Sequence, residues 1–386
     1  MKRERLHSLI AMVSIMVTAI LLGLLVSGCA KDCPTCPKVE ESRRYRGWLY
    51  YTEGVSDNTT LYKVDMETDS IVDSLKQEDP REALGRLGVS SDGRFLGLMY
   101  SKTSDSSLTQ MDRTTRIYDA QTQAHITDLS EGVTPFFDTY DNLLIGLRAD
   151  TTGNYIIVMQ IPTFTSMRVD SVGNFLPRLI DPSHDLLYGN ASNTGWTHEY
   201  ATGFYSYNYA SHELKPLPIL WSPTDTIEYV YTLCLSSNGE ILYFTGAEHA
   251  GATVFGAMAG AFDLNSRTLL WYYPLVTPIG GIAVSPDGKE VWVTDPGPTG
   301  YDWDSGTIFI LDASTGRYLQ GISMYGYLPD SNPYFSLPGR GIVFSPAGDR
   351  AYVQASHTFT NPYGTVVVVD AKKKAIVKLL RPNMHS

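Results

Sequence analysis

Residues 281–294 read Gly-Ile-Ala-Val-Ser-Pro-Asp-Gly-Lys-Glu-Val-Trp-Val-Thr, two short apolar runs on either side of a Ser-Pro-Asp-Gly turn. The Asp-Gly pair suits a tight turn, because glycine adopts positive φ angles without steric cost. The pattern therefore predicts two antiparallel strands joined by a short turn. Related motifs are centred near residues 93, 142, 184, 239 and 348, roughly 50 residues apart.

A second strand pair accompanies these motifs. Its signature is an apolar run that ends in Asp and is followed by a polar turn and alternating residues. The best examples end at Asp65, Asp119, Asp263, Asp312 and Asp370, and weaker ones lie at Ile157–Gln160 and Tyr205–Asn208. Two such pairs make a four-stranded unit of about 50 residues, the size of one blade of a β-propeller. Seven second pairs against six first pairs predict seven blades, with the chain ends completing the ring.

The residues of the best copy carry a family resemblance. Val-Ser-Pro-Asp-Gly-x-x-x-Trp-Val-Thr, followed by Ile-x-x-Leu-Asp-x-x-Thr-Gly, resembles the YVTN-type repeats of seven-bladed β-propellers. The resemblance implies an all-β, seven-bladed β-propeller over residues 47–386, closed by pairing of N- and C-terminal strands. We expect the segment at Trp48 to pair with Val366–Val369. The repeat consists of strand and turn residues, so it specifies the fold and leaves the activity open.

Composition agrees with an all-β chain and excludes one class of partner. The 25 tyrosines, 33 glycines and 21 prolines favour strands and turns over helices. The formal net charge is −11, and no basic patch is evident, so a nucleic-acid partner is not expected.

The N-terminal residues predict export and a lipid anchor. Lys2, Arg3 and Arg5 precede an apolar run over residues 9–26, which is typical of a signal peptide over residues 1–28. An uncleaved transmembrane anchor is the alternative. The residues Leu-Val-Ser-Gly-Cys at 25–29 resemble a bacterial lipobox, which implies cleavage before Cys29 and acylation of that cysteine. Residues 29–46 then form a flexible tether. We expect a lipid-anchored protein of the cell envelope at the outer membrane, facing the periplasm or the cell surface, because Ala30 is not the Asp of an inner-membrane retention signal.

Two further cysteines, Cys33 and Cys36, form a CxxC pair in the tether. In an oxidising compartment this favours a small disulfide loop. A redox centre and a metal knuckle remain alternatives, although the pair lacks a stabilising helix start and a second ligand pair. Cys234 lies in an apolar run and is interpreted as a buried core thiol.

Candidate binding residues fall near the channel and on long loops that the fold places on one face. Three arginines precede the first strands of different blades, and their convergence would attract a carboxylate or phosphate. Aromatic side chains on the loops would bind a sugar or peptide, or else hold the loops down. The arginines are Arg86, Arg178 and Arg340, and the aromatic residues are Trp196, Trp221, Tyr301, Trp303 and Tyr334.

Catalytic and metal signals are weaker. Acidic loop residues make a Ca²⁺ site conceivable, but their spacing lacks the calcium-loop pattern, so no cofactor or metal is predicted. The three loop histidines form no metal-binding pair, and no nucleophile elbow, phosphate loop or dinucleotide motif occurs. The acidic residues are Asp295, Asp302, Asp304 and Asp330, and the histidines are His198, His249 and His357.

Two classes of function follow from these observations. The first is a binding or scaffold module that offers its long-loop face to a peptide, glycan or protein. The alternative is a propeller enzyme, a lactonase-like hydrolase or a quinoprotein-like oxidoreductase, with its site at the channel mouth. No catalytic constellation is visible in the sequence, so we prefer the binding role.

Overall fold

The computed structural model describes residues 47–53, 60–76, 82–90, 92–103, 111–129, 132–138, 140–150, 153–192, 201–220, 227, 229–250, 253–275, 280–295, 307–324, 337–356 and 365–380. All of them belong to a compact unit that spans Gly47–Ser386. The predicted signal peptide, Cys29, Cys33, Cys36 and the tether lie outside the described residues. Within the described part of the chain, no helix is both long and apolar enough to cross a membrane.

Seven antiparallel sheets make up this unit, and each runs along the chain in sequence order. Among the described residues, blade 1 has three strands, β1–β3: Trp48–Glu53, Thr60–Asp65 and Ser70–Lys76. Blade 2 has β4–β7: Glu82–Val89, Phe95–Thr103, Met111–Asp119 and His125–Leu129. Blade 3 has β8–β11: Thr134–Asp138, Leu143–Asp150, Gly153–Gln160 and Thr165–Gly173. Blade 4 has β12–β15: Phe175–Asp181, Leu186–Ser192, Ala201–Asn208 and Glu213–Pro216, with a short 3-10 helix at Pro182–His184.

The remaining blades repeat the four-stranded pattern. Blade 5 has β16–β19: Tyr229–Leu235, Ile241–Ala250, Thr253–Asp263 and Thr268–Pro274. Blade 6 has β20–β23: Ile282–Val284, Glu290–Asp295, Thr307–Asp312 and Tyr318–Ser323. Blade 7 has β24–β27: Leu337–Phe344, Arg350–Ser356, Thr365–Asp370 and Ala375–Leu380. The prediction of an all-β, seven-bladed β-propeller is confirmed.

The Ser-x-Asp-Gly motif forms the turn between the first two strands of a blade. The Ser285 hydroxyl donates to Asp287 at 2.7 Å and accepts the backbone N–H of Glu290 at 3.0 Å. Gly288 takes a φ of 71°, which explains the glycine at this position. Where the motif lacks its Asp, in blade 7, Asp349 accepts the Ser345 hydroxyl instead.

The outer turns, between the third and fourth strands, explain why the apolar runs end in Asp or Asn. In blade 4, the side-chain oxygen of Asn208 accepts the backbone N–H groups of Ala210 and Ser211. Asp119 does the same for Gln121 and Thr122 in blade 2. This arrangement is an Asx turn, in which the side-chain oxygen accepts backbone N–H groups that have no backbone acceptor in the tight turn.

The core lies between neighbouring blades, where seven apolar clusters join the seven sheets. One of them joins the two ends of the described domain: Leu49 and Val64 of blade 1 pack with Val366 and Val368 of blade 7. The clusters therefore form a closed ring, since each blade is packed on both sides.

The expected partner of the N-terminal strand was wrong. β1 pairs with β2, with Trp48 opposite Asp65, while β26 pairs with β25 and β27. Both edges of β26 are thus occupied, so Val366–Val369 has no edge left for Trp48. Among the described residues, blades 1 and 7 are joined by side chains rather than by a shared sheet.

Candidate functional site

A central cavity of about 730 Å³ runs between the innermost strands of blades 2–7. Its lining includes residues of β4, β8, β12, β16, β20 and β24, and most are apolar. Typical members are Leu87, Phe136, Ile180, Leu233 and Val343. The cavity is thus the channel that the repeat pattern predicts, and most of the residues that line it are hydrophobic.

Arg178 is the only charged residue among the described lining residues of this channel. It is half-buried on β12. The pairing of β12 with β13 shifts register between Pro177 and Leu179, which leaves Arg178 as an extra residue in a β-bulge. Bulges re-aim side chains, and this one accounts for an arginine beside an apolar channel.

The other two predicted arginines lie at similar irregularities. Arg86 falls in the register shift between Leu84 and Leu87 of β4, and Arg340 falls in the shift between Pro338 and Ile342 of β24. Their side chains lie outside the described residues. The backbone therefore places the three arginines at register shifts on three innermost strands, and the convergence of their guanidinium groups stays a prediction.

The other predicted site residues lie mainly on connections outside the described ranges. These are Trp196, Trp221, Tyr301, Trp303, Tyr334, Asp302, Asp304, Asp330, His198 and His357. Asp295 is a buried residue at the end of β21, and His249 lies in β17 with a side chain that is not described.

A different acidic cluster was missed at the sequence level. Oxygen atoms of Asp138, Asp141 and Asp185 lie within 4.8 Å of one another at the short turns of blades 3 and 4. Asp138 is buried and accepts the Tyr209 hydroxyl at 2.8 Å. Three carboxylates fall short of the six to eight oxygen ligands that Ca²⁺ takes.

This cluster has an electrostatic consequence. Desolvation raises the pKa of Asp185, and the nearby carboxylates of Asp141 and Asp138 raise it further. One sequence signal pointed here: the weak turn motifs of blades 3 and 4 begin with Asp138 and Asp181 where the strong copies have Ser.

Two nucleophile candidates do not form a catalytic group. Ser183 Oγ lies 3.0 Å from His184 Nδ1, and Asp181 Oδ2 lies 2.8 Å from that same nitrogen. A proton relay requires the Ser and the Asp on opposite ring nitrogens, so this trio lacks triad geometry. Burial of the Cys234 thiol raises its pKa to about 12, as expected for a core thiol that is not nucleophilic near neutral pH.

Comparisons with known proteins identify the fold and no family. No family model matches the chain, and no curated protein sequence matches it. Hydrazine synthase from Kuenenia stuttgartiensis is similar in structure, with a TM-score of 0.54 at 16% identity, over 77% of this chain and 86% of that one.

Two other solved structures give the same result. The dihydro-heme d1 dehydrogenase NirN, in complex with DHE, has a TM-score of 0.52 at 13% identity, over 86% of this chain and 73% of that one. A functionally unknown protein from Desulfotomaculum acetoxidans has a TM-score of 0.54 at 11% identity, over 86% of this chain and 94% of that one. Identities this low show a shared propeller fold and leave the activity open.

Proposed function

We propose that the protein is a lipid-anchored binding module of the cell envelope, which holds an anionic group of its ligand at the mouth of the propeller channel. The observation that carries this proposal is Arg178, a half-buried arginine beside an apolar cavity of about 730 Å³. A guanidinium in such surroundings favours a carboxylate or phosphate, and the apolar wall favours a hydrophobic body next to it.

The lining supports binding over catalysis. Its polar side chains among the described residues are Arg178, Tyr231, Thr134 and Thr232. General acid–base chemistry calls for a carboxylate, histidine or similar group of suitable pKa at the reacting atoms. The enzyme alternative, a lactonase-like hydrolase or quinoprotein-like oxidoreductase, would have to draw such groups from the loops.

An amphiphilic probe tests the anion site on the full chain in detergent. Calorimetry would compare octanoate with octanol for the wild type, Arg178→Gln and the matched control Arg317→Gln, an exposed arginine on the outer turn of blade 6. We expect octanoate to bind at least tenfold more weakly to Arg178→Gln and unchanged to Arg317→Gln, with octanol insensitive to both changes. Equal octanoate binding by wild type and Arg178→Gln would refute the anion site.

The anchoring proposal has its own test. Lipobox residues 25–29 motivate acylation of Cys29, which would hold the domain at the outer membrane. Cys29→Ser should abolish labelling by an alkyne fatty acid and release the protein from the detergent-soluble membrane fraction. Retention of the unlabelled variant in the membrane would instead support an uncleaved transmembrane anchor.

A further inference from the structure

The outer turn of every blade holds one residue in the left-handed conformation. It lies four residues after the last residue of the third strand, and its φ is between 50° and 69° in all seven blades. The fold therefore places equivalent side chains at seven equivalent points around its rim. The seven residues are Asp69, Gln123, Phe164, His212, Arg267, Gly316 and Lys374.

At most of these points the residue faces the preceding blade. His212 of blade 4 is a clear example, since its Nδ1 lies 2.9 Å from Oδ1 of Asp170 in blade 3. The residue thus closes the outer end of the junction between two neighbouring blades. Contacts of the same kind join Asp69 with Tyr352, Phe164 with Phe95, Lys374 with Glu290, and the Gly316 position with the Trp271 ring.

Blade 5 departs from this pattern. Arg267 is exposed and makes no ion pair or hydrogen bond with the described part of the chain. A groove of about 570 Å³ opens beside it, lined by Leu220 and by residues of the outermost strand, β19. Leu220 follows β15 of blade 4, and Leu269 of β19 packs on the apolar cluster between blades 4 and 5. The groove therefore lies at the outer end of the junction that Arg267 does not close.

The lining of the groove combines one cation with apolar side chains. Leu220, Leu270 and Tyr272 are 51%, 45% and 50% exposed, so the groove presents large apolar side chains to solvent. Arg267 is the only charged residue among the described lining residues. Because no described carboxylate pairs with it, its guanidinium can pair with a carboxylate of a ligand.

We propose that this groove is a second binding site, which holds a fatty acid with its carboxylate on Arg267 and its alkyl chain along β19. The volume of the groove falls within the roughly 300–1,000 Å³ of small-molecule pockets. A ligand with one anionic group and an aliphatic body matches the single cation and the apolar wall. The carboxylate gains a charge-assisted hydrogen bond, and the alkyl chain covers apolar surface that water otherwise contacts.

This site is distinct from the channel. The strand order in blade 5 is β16-β17-β18-β19, so β19 lies three strand spacings, roughly 14 Å, from the channel-lining β16. The described linings of the channel and of the groove share no residue. The inference therefore adds a site to the proposed function and does not depend on it.

Photo-crosslinking of the full chain in a neutral maltoside detergent tests the site at pH 8, where a carboxylate is ionised. The probe is decanoic acid with a diazirine on its alkyl chain, and mass spectrometry measures the adduct on each peptide. We expect labelling of the peptide that contains residues 268–274, at least fivefold lower for Arg267→Gln and within twofold of the wild type for Arg267→Lys. Gln and Lys occupy the equivalent positions of blades 2 and 7, so both variants keep a residue that this turn accepts.

The apolar wall has its own matched pair of variants. Leu270→Ser removes an alkyl contact at the register shift between β18 and β19, while Val72→Ser changes a similarly exposed residue at the corresponding shift between β2 and β3. We expect Leu270→Ser to lower the labelling at least threefold and Val72→Ser to leave it unchanged. Decanol with the same diazirine should label the wild type and Arg267→Gln equally, since it has no charge to pair with the guanidinium.

The same spectra separate this inference from the proposed function, because peptides of β12 report the channel. Equal decanoate labelling of the wild type and Arg267→Gln would overturn the inference. Labelling spread over the outer strands of all seven blades would also overturn it, since the probe would then only adhere to exposed apolar surface. Labelling of β12 without β19 would overturn the groove and leave the channel site standing.

Discussion

Asp170 shows at the residue scale how charge joins neighbouring blades. On β11 of blade 3, it accepts the Tyr207 hydroxyl of blade 4 at 2.7 Å and lies 2.9 Å from His212 Nδ1. Arg168 Nε contacts it at 2.8 Å. Desolvation alone would raise the pKa of Asp170, but these hydrogen bonds and charges outweigh it and hold the pKa below its ordinary value.

We therefore expect Asp170→Asn to destabilise the fold by about 2 kcal/mol at pH 7, the scale of hydrogen bonds to a charged group. A depressed folded-state pKa gives stability that is present above the unfolded value near 3.9 and lost as pH falls through the folded value. The difference in urea unfolding free energy between wild type and variant should shrink below about pH 4. An equal difference at pH 7 and pH 3 would contradict this, and exposed Asp73→Asn is the control.

For Asp185 we predict the opposite effect, which is a gain in stability when it is replaced by Asn. Because its pKa is raised in the fold, the ionised form opposes folding at neutral pH. Asp185→Asn should stabilise the protein by about 0.5 kcal/mol at pH 7, the size of one like-charge pair. Asp and Asn both adopt the left-handed φ of 57° found at this position, so the substitution adds no backbone strain.

The gain from Asp185→Asn should vanish at pH 3, where both folded and unfolded Asp185 are protonated. Thermal unfolding of wild type and variant at the two pH values checks this expectation. A gain that persists at pH 3 would point to the backbone preference of Asn rather than to charge repulsion.

At the scale of the strand and turn, two glycines allow the cost of backbone strain to be distinguished from the cost of a steric clash. Gly288 and Gly316 take φ values of 71° and 69°. A Cβ on Gly288 would meet nothing within 4 Å, whereas one on Gly316 would lie 2.5 Å from Cε3 of Trp271. Trp271 belongs to blade 5 and donates to Ala313 O of blade 6 at 2.9 Å, so this clash lies between two blades.

Gly288→Ala should cost about 1 kcal/mol, the strain of a left-handed alanine. Gly316→Ala should cost roughly 2–4 kcal/mol, because it adds overpacking to the same strain. Urea unfolding of the two variants measures both, and tryptophan emission should change only for Gly316→Ala. If both variants lost the same unfolding free energy, the Trp271 side chain would have moved aside at no energetic cost.

The same turns show how far sequence reasoning reaches. Gly93, Gly239, Gly288 and Gly348 could be assigned to turns because positive φ is a local demand that glycine meets. The bulge at Arg178 could not, because a register shift depends on how β12 meets β13. The sequence therefore placed the arginine just before an inner strand, whereas the structure places it within that strand, at the bulge.

At the scale of the whole ring, the sequence predicted the correct number of blades but the wrong pairing partner for the N-terminal strand. Strand counting predicted an edge for Trp48 on Val366–Val369, because it treated the last strand pair as incomplete. The structure gives blade 7 four strands of its own. Likewise, Asp138 and Asp185 meet only because blades 3 and 4 are neighbours, a long-range contact that local patterns do not specify.

The interface between blades 1 and 7 contains a small cluster of polar contacts beside its apolar cluster. The Tyr352 hydroxyl donates to Asp69 Oδ1 at 2.6 Å and lies 3.1 Å from Met66 O. Arg350 Nε lies 3.3 Å from Asp69 Oδ2. The Lys378 ammonium of β27 also donates to Asp69 O. Asp69 is thus a residue of blade 1 on which three side chains of blade 7 converge.

Tyr352→Phe should lower the unfolding free energy by about 1 kcal/mol, because it removes these hydrogen bonds and keeps the ring in the apolar cluster. The loss should be concentrated at the joint, since the clusters between other blades are untouched. Amide hydrogen exchange should therefore accelerate in β1, β2 and β26 more than in β21 and β22, while exposed Tyr140→Phe changes neither set. Uniform acceleration around all seven blades would mean that the ring unfolds as one unit, with this joint no weaker than the others.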